Sequence, residues 1–458
     1  MRVAIIGAGF GGIAAAIALQ REHEVFLIDR AHDVGGTWLF NDYPGAACDV
    51  PSHLYSFSFE QRRHWPRLCS PRDEILAYIR ELAAKYRITP TLNTEIATAD
   101  YDDGWTLNST DGRTFEADAL IVATGQLHRT HTPNLPGTFE GHTFHSAEWD
   151  HDYDLTSKRV AVIGTGASAV QFIPEIAPTA KQLVVFQRTG NWFLPRKNHP
   201  YPRAVKAAIR HVPKLQAARR TFVFHYGETL TAGIRHPRTL GQIGHARSAA
   251  FMRWQLRDHP ELRDKIWPGY AFGCKRVLFS SHFLPALARP NVTLVTDPVT
   301  LTADAVNGHE VDCIIYATGF RTTDFMLPMR ITARGRPLQD TWREGPFAHL
   351  GMTVPGFPSL YLMYGPNTNT SGGSILVYLE AQAAYIKQAL AHGVVEVRPE
   401  VAARSDRDLQ QRFNGTAWTA CDSWYRDTDG RIVANWPGYM REYQARTQVF
   451  DPAEFIGP

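Results

Sequence analysis

Residues 3–12 read Val3-Ala4-Ile5-Ile6-Gly7-Ala8-Gly9-Phe10-Gly11-Gly12, a short apolar run that breaks into a glycine turn. An alanine-rich stretch follows from about Gly11 to Glu22, then a second apolar run, Val25 to Ile28, closed by Asp29. Short apolar runs on either side of a helix-length segment predict strand, helix, strand. The glycines fit G-x-G-x-x-G. Gly7 permits the tight turn, Gly9 lets a pyrophosphate approach the backbone, and Gly12 lets helix and strand pack closely. The helix N-terminus presents free N–H groups and a partial positive charge to phosphates. Asp29, about 20 residues on, can accept hydrogen bonds from ribose hydroxyls. The stretch also begins like a secretory leader, but the glycines interrupt the apolar core that a leader needs. A dinucleotide site at the start of the chain accounts for all of these features.

The pattern restarts further on. Val160 to Ile163 is a strand, Gly164-Thr165-Gly166-Ala167-Ser168-Ala169 a second turn, Ala167 to Ile176 a helix and Leu183 to Phe186 the next strand. Gly164, Gly166 and Ser168 are its nucleotide-facing candidates, with alanine allowed in the third glycine position. The second strand ends Phe186-Gln187-Arg188-Thr189. No acid stands there to hold a free ribose 2′-hydroxyl, whereas the planar fork of Arg188 suits a 2′-phosphate, so NADPH is expected over NADH. Each half also closes on the same tripeptide, Ala123-Thr124-Gly125 and Ala317-Thr318-Gly319. Within the first half, residues 72 to 87 read as an amphipathic helix with Ile75, Ile79 and Leu82 on one face.

The expected fold is therefore α/β, with two Rossmann-like dinucleotide-binding domains. Residues 1–145 and 330–458 form one, and residues 146–329 the other, with a helical insertion at about 195–270. The insertion is basic, with Arg203, Lys206, Arg210, Lys214, Arg219 and Arg220, and reads first as a solvated face. Its second reading is a weak peripheral membrane contact.

The 458 residues are too many for one core, with 44% hydrophobic and 20% charged residues, as in an ordinary globular enzyme. A net charge of +3 gives no reason to expect a nucleic-acid partner, and no stretch is long and apolar enough to span a membrane. Cys48, Cys69, Cys274, Cys313 and Cys421 are scattered, odd in number and never spaced Cys-x-x-Cys. Reduced thiols in a cytoplasmic chain are expected, with no metal site and no dithiol redox pair. Two nucleotide modules imply hydride transfer from a carrier to a bound acceptor, and FAD is the natural acceptor. Without a dithiol to take the electrons, oxygen is the expected terminal acceptor.

At this point the residues resemble the class B flavoprotein monooxygenases, and among them the type I Baeyer–Villiger monooxygenases. Phe139-Glu140-Gly141-His142-Thr143-Phe144-His145-Ser146-Ala147-Glu148-Trp149-Asp150 matches the fingerprint F-x-G-x-x-x-H-x-x-x-W followed by Pro or Asp. Gly35-Gly36-Thr37-Trp38, continuing through Tyr43-Pro44-Gly45 to Asp49, matches a second signature. The likeness extends from residue 3 to about 440. It implies that Phe139, Gly141, His145 and Trp149 link the domains and couple their motion to catalysis. It implies that Gly36, Thr37 and Trp38 line the flavin, with Asp49 near its reactive face and Tyr55, Ile96 and Gly125 as further FAD contacts. In Lys275-Arg276, the arginine would hold a peroxyflavin, and the lysine would join Arg188 and Thr189 on the 2′-phosphate. Tyr364-Gly365-Pro366-Asn367 resembles a loop over the flavin ring, with Gly365 at the cofactor. Asn435-Trp436-Pro437-Gly438 also recurs, with no role attached to it.

The implied reaction is NADPH-dependent insertion of one oxygen atom from O₂ next to a ketone carbonyl, through a C4a-peroxyflavin and a tetrahedral adduct, to give an ester or lactone. N- or S-oxygenation of an amine or sulfide is the alternative. Asp49 is expected to hold Arg276 in place. The C-terminal region lacks the extended loop that some relatives fold over substrate, so the substrate pocket is the part of the site left open.

Overall fold

The computed structural model describes residues 1–196, 198–427 and 429–457. The chain opens with β1 (Arg2–Ile6), α1 (Phe10–Leu19) and β2 (Glu24–Ile28), followed by α2 (Arg72–Lys85). A meander of β3 (Ile96–Tyr101), β4 (Trp105–Ser109) and β5 (Thr114–Ala117) precedes β6 (Ala119–Val122). Then come β7 (His142–His145), β8 (Arg159–Ile163), α3 (Ala167–Ile176) and β9 (Gln182–Phe186). The insertion is α4 (Arg203–His211), α5 (Pro213–Arg235), α6 (Leu240–Gln255) and α7 (Pro260–Ile266). The chain continues with β10 (Val292–Val295), β11 (Cys313–Tyr316), β12 (Arg330–Ala333), β13 (Arg336–Pro337), β14 (Leu360–Leu362) and α8 (Ile375–Leu390).

Two sheets are wholly parallel, in the orders β14-β6-β1-β2 and β10-β9-β8-β11-β7. Both faces of such sheets are covered, which is why their strands are continuous apolar runs instead of alternating ones. Val160, Ala161, Val162 and Ile163 are all buried, as are Ala119 to Val122. α1 is apolar nearly all round because it lies between the first sheet and α8.

The repeat seen in sequence is a repeat in space. β1 pairs with β2 on one side and β6 on the other, just as β8 pairs with β9 and β11. Chain direction across the sheet switches at each glycine turn, the place where doubly wound sheets open a crevice. The recurring Ala-Thr-Gly has a packing reason. Gly7 (φ +108°) and Gly164 (φ +106°) each lie where a Cβ would sit 2.4 Å from a carbonyl oxygen, that of Ala123 in one half and Ala317 in the other.

β7 pairs with β11 from Cys313↔His142 to Tyr316↔His145. The strand with which the sequence division ends the first domain is thus hydrogen-bonded into the second sheet. Four residues are too few to show a period of their own. β12 rejoins β3 in a third sheet, β13-β12-β3-β4-β5, and β14 rejoins β6, so the chain beyond 330 returns to the first half.

Two expectations are corrected. Arg219 and Arg220 are half-buried and turned inward, not part of a solvated face. Arg220 donates to the carbonyls of His53 (3.0 Å), Leu54 (3.3 Å) and Ser56 (2.7 Å) and lies 3.6 Å from Glu380 on α8. Arg219 covers the Tyr201 ring at 5.0 Å and donates to its hydroxyl at 2.8 Å. Composition gave no sign that α5 turns these two inward. Nor are all five thiols free: Cys274 and Cys421 form a disulfide, their Cα atoms 6.1 Å apart although 147 residues separate them. The segment after residue 417 folds across the loop before Lys275, a proximity that cysteine spacing does not encode.

Candidate active site

A cleft of about 1860 Å³ lies between the two modules, walled by both glycine turns. A single small-molecule site is typically roughly 300–1,000 Å³, so there is room here for two nucleotides and a substrate. From the first module, Gly7, Gly9, Asp29, Gly36, Thr37, Trp38, Asp49, Tyr55, Ile96 and Gly125 reach its wall. From the second come Gly164, Gly166, Ser168, Arg188 and Thr189, with Lys275 and Arg276 beside them.

The remaining predicted residues lie outside it. Gly12 packs helix to strand, since a Cβ there would sit 1.8 Å from the Gly7 carbonyl oxygen. Gly365 does not reach the cleft: a Cβ there would meet the Gly351 carbonyl at 2.3 Å, and it is the neighbouring Tyr364 that lines the wall. Phe139 and Gly141 lean on one another, with Gly141 also close to the Asp312 carbonyl. Trp149 packs edge-on against Phe144 and Phe172, each at 5.2 Å. His145 is buried against Phe320, and burial lowers its pKa. Phe320 belongs to a crossing between the modules, where Thr130 bridges Phe320 and Arg321 donates its backbone N–H to Arg129. The four fingerprint residues thus brace the connection between the modules, while Ala147 and Glu148 of the same segment line the cleft.

The first half fits a flavin dinucleotide. Asp29 Oδ2 accepts the Ala8 N–H at 2.5 Å and Oδ1 accepts that of Ala31 at 2.8 Å, which fixes the carboxylate while leaving each oxygen a lone pair for ribose. Trp38 donates Nε1–H to the Tyr55 hydroxyl at 3.0 Å, their rings edge-on at 5.7 Å. In the second half Gln187 follows the strand where Asp29 does in the first, and its amide is spent on the Lys265 carbonyl at 3.1 Å. Lys275 lies over Tyr270 at 5.1 Å, and its pKa is lowered by burial and then by Arg188. Two cations therefore converge where a 2′-phosphate would sit.

The modules meet around Asp49 and Arg276. Arg276 Nη2 lies 2.5 Å from Asp49 Oδ2. The arginine side chain is 46% exposed, but into the cleft it lines, and Asp49 holds its pKa above the ordinary arginine value. Cys48, next to Asp49, gives its carbonyl to Arg196 at 2.6 Å, and the Tyr43 hydroxyl meets Gln171 of α3 at 3.1 Å. The second signature is thereby bolted to the second module.

Sequence reading missed Tyr425. It is buried in the wall beside Arg276, and burial pushes its phenol up to about 12 although Arg276 opposes that. The one signal for it was Asn435-Trp436-Pro437-Gly438, which now acquires a role. Asn435 hydrogen-bonds the Tyr425 side chain, and its Oδ1 accepts Asn369 Nδ2 at 2.6 Å. Asn369 Oδ1 in turn accepts the Tyr364 hydroxyl at 2.8 Å, and Tyr364 lines the cleft. Trp436 is buried under Arg412 and Arg446, at 5.2 and 5.6 Å from its ring. The C-terminal region also supplies part of the pocket that the sequence left undefined: Asp422, Ser423, Trp424 and Tyr425 line the cleft, tied back to the Lys275 loop through Cys421.

Three comparisons bear on this geometry. The pyridine nucleotide-disulphide oxidoreductase family matches residues 1–212. A Baeyer-Villiger monooxygenase of Streptomyces coelicolor is 40% identical over 481 residues, covering 99% of this chain and 92% of that protein. Among solved structures, an oxidized steroid monooxygenase bound to NADP superposes with a TM-score of 0.88 at 27% identity, over 100% of this chain and 99% of that one. OTEMO in complex with FAD and NADP superposes with a TM-score of 0.88 at 26% identity, over 100% and 99%.

Proposed function

The chain belongs to the Baeyer–Villiger monooxygenases, and we propose on that premise that its cleft inserts one atom of O₂ beside the carbonyl of a small-molecule ketone. The products are an ester or lactone and water, with FAD held by the first module and NADPH by the second. When bound, the flavin takes a hydride from the nicotinamide and passes the electrons to O₂. The chain supplies binding, orientation and charge. Gly7, Gly9 and the N-terminus of α1 cradle one pyrophosphate, and Gly164, Gly166 and α3 the other. Arg188, Thr189 and Lys275 take the 2′-phosphate.

Negative charge develops first on the attacking oxygen and then on the former carbonyl oxygen. Arg276, set in the cleft, would face both, stays protonated at any working pH and gives up no proton to either. Asp49 aims its fork. The observation that carries the reading is this guanidinium, set in the cleft between two glycine turns and paired at 2.5 Å with the last residue of the second signature. Relatives named for ketone chemistry, together with Trp149 in the fingerprint, favour ketones over amines or sulfides.

Arg276→Ala should leave anaerobic reduction of FAD by NADPH within a few-fold of wild type and cut ester formation by about 10²–10³, the usual cost of losing one preorganised charge-stabilising group. Product mass with a one-oxygen gain is the readout. Ester formation near the wild-type rate would remove Arg276 from the reaction. A cytoplasmic location suits an enzyme that consumes NADPH, although the Cys274–Cys421 bond weakens the argument from reduced thiols.

A further inference from the structure

The helical insertion carries charge and apolar surface that the oxygenation site leaves unused. Residues 203–257 hold eleven arginines and lysines and one acid, Glu228, while the whole chain has a net charge of only +3. The rest of the protein is therefore net acidic. Of the eleven, Arg219 and Arg220 turn inward, Arg247 lines the cleft, and Arg235 and Arg257 pair with Glu442 and Asp258, which leaves Arg203, Lys206, Arg210, Lys214, Arg238 and Arg253 as exposed cations. Glu228 does not offset them at the surface, being buried and accepting the Met440 N–H at 2.8 Å. Lys206 and Arg210 on α4 and Lys214 on α5 are all exposed.

Apolar side chains stand among these cations. Val212, Leu215 and Phe222 are 48%, 38% and 71% exposed; Leu215 and Phe222, seven residues apart, share one side of α5, and Val212 immediately precedes the helix. α6 repeats the arrangement, with Ile243 and Trp254 both 60% exposed. A single exposed Leu or Phe needs no explanation, but two helices that each turn large apolar groups outward do. The inner side of α5 is occupied otherwise, since Val223, Tyr226 and Leu230 line the cleft.

We propose that the outer face of α4–α6 docks the protein on an anionic lipid surface. Large apolar groups interleaved with lysine and arginine are what an interfacial helix buries at the headgroup boundary, with the cations drawn to anionic lipid. A second copy of this chain fits worse, because it would bring one strongly cationic face against another. The docking stands independently of the ketone chemistry, although it would set a cleft-lining helix against the phase in which apolar ketones collect.

The test is flotation of the FAD-loaded full chain with vesicles of phosphatidylcholine alone or of equal parts phosphatidylcholine and phosphatidylglycerol, at low and high salt. Binding is expected to the anionic vesicles at low salt, with release at high salt. The double variant Leu215→Ser/Phe222→Ser and the triple variant Lys206→Glu/Arg210→Glu/Lys214→Glu should each bind at least about tenfold more weakly. Both should keep wild-type FAD content and NADPH oxidation in lipid-free buffer, which shows that they fold. No flotation with anionic vesicles at low salt, or flotation unaltered in both variants, overturns the proposal. So does a wild-type dimer that the double variant abolishes without any lipid binding, which would give the face to a second copy.

Discussion

At the scale of single residues, the site depends on charges whose neighbours decide their state. Arg188 and Lys275 are like charges brought together, which after burial helps lower the Lys275 pKa, and a bound anion would relieve the repulsion. Arg188→Ala removes a charge-assisted contact worth roughly 1.5–3 kcal/mol, so KM for NADPH should rise by about 10- to 100-fold while KM for NADH barely changes. Equal losses with the two carriers would mean that Arg188 does not read the 2′-phosphate. Lys275 adds a pH dependence. Its pKa in the protein lies below the ordinary lysine value, and only the protonated form adds its charge to the phosphate site, so that contribution is present while the lysine is protonated and is lost as pH rises through the lowered value. NADPH KM measured from neutral to alkaline pH should therefore begin to climb sooner than a solvated lysine would allow. Lys275→Met should start with a higher KM and lose that limb; an unchanged profile would put the titration elsewhere.

At the scale of elements, the segment Asp422–Tyr425 and the loop at Tyr364 form one wall because Asn435 holds both. Asn435→Ala leaves the buried Tyr425 hydroxyl unpaired, at about 1–3 kcal/mol, and removes the partner of the half-buried Asn369 amide. KM for ketone should rise several-fold in steady-state assays while the rate of FAD reduction stays the same. A parallel loss of both would point to general unfolding instead. This wall also marks where legibility ended. The units β1–α1–β2 and β8–α3–β9 could be read because strand, turn and helix lie within about 30 residues and their chemistry is local. Arg276 with Asp49 could be anticipated only through resemblance, since they are 227 positions apart in the chain. Tyr425, the Cys274–Cys421 bond and the inward turn of Arg220 were not legible: each is a contact between distant segments, and none leaves a periodic trace. Gly365 shows the converse error, a residue in a recognised motif whose glycine serves packing while its neighbour serves the site.

At the scale of the whole molecule, the insertion must stay seated on the first module, and the seat is titratable. His53 is 1% exposed, stacked on Tyr201 at 6.4 Å, and its carbonyl accepts Arg220 of α5. Burial, and then the charges of Arg219 and Arg220, lower its pKa to about 4. In the unfolded chain the imidazole titrates near 6.5. Between those two values the unfolded state binds more protons than the folded one, so stability rises with pH. The contribution is fully present above about pH 6.5 and is lost as pH falls towards 4, amounting to ~3 kcal/mol for a shift of this size. Protonation would place a third cation beside Arg219 and Arg220, where α5 meets the segment around Ser56. Thermal unfolding of the FAD-loaded protein between pH 7.5 and 4.5 should therefore fall more steeply than that of His53→Gln, which cannot take up this proton. Carboxylates elsewhere contribute equally to both proteins and cancel in the comparison. If the two melting curves track each other across that range, the acid sensitivity of the fold does not reside at this seam.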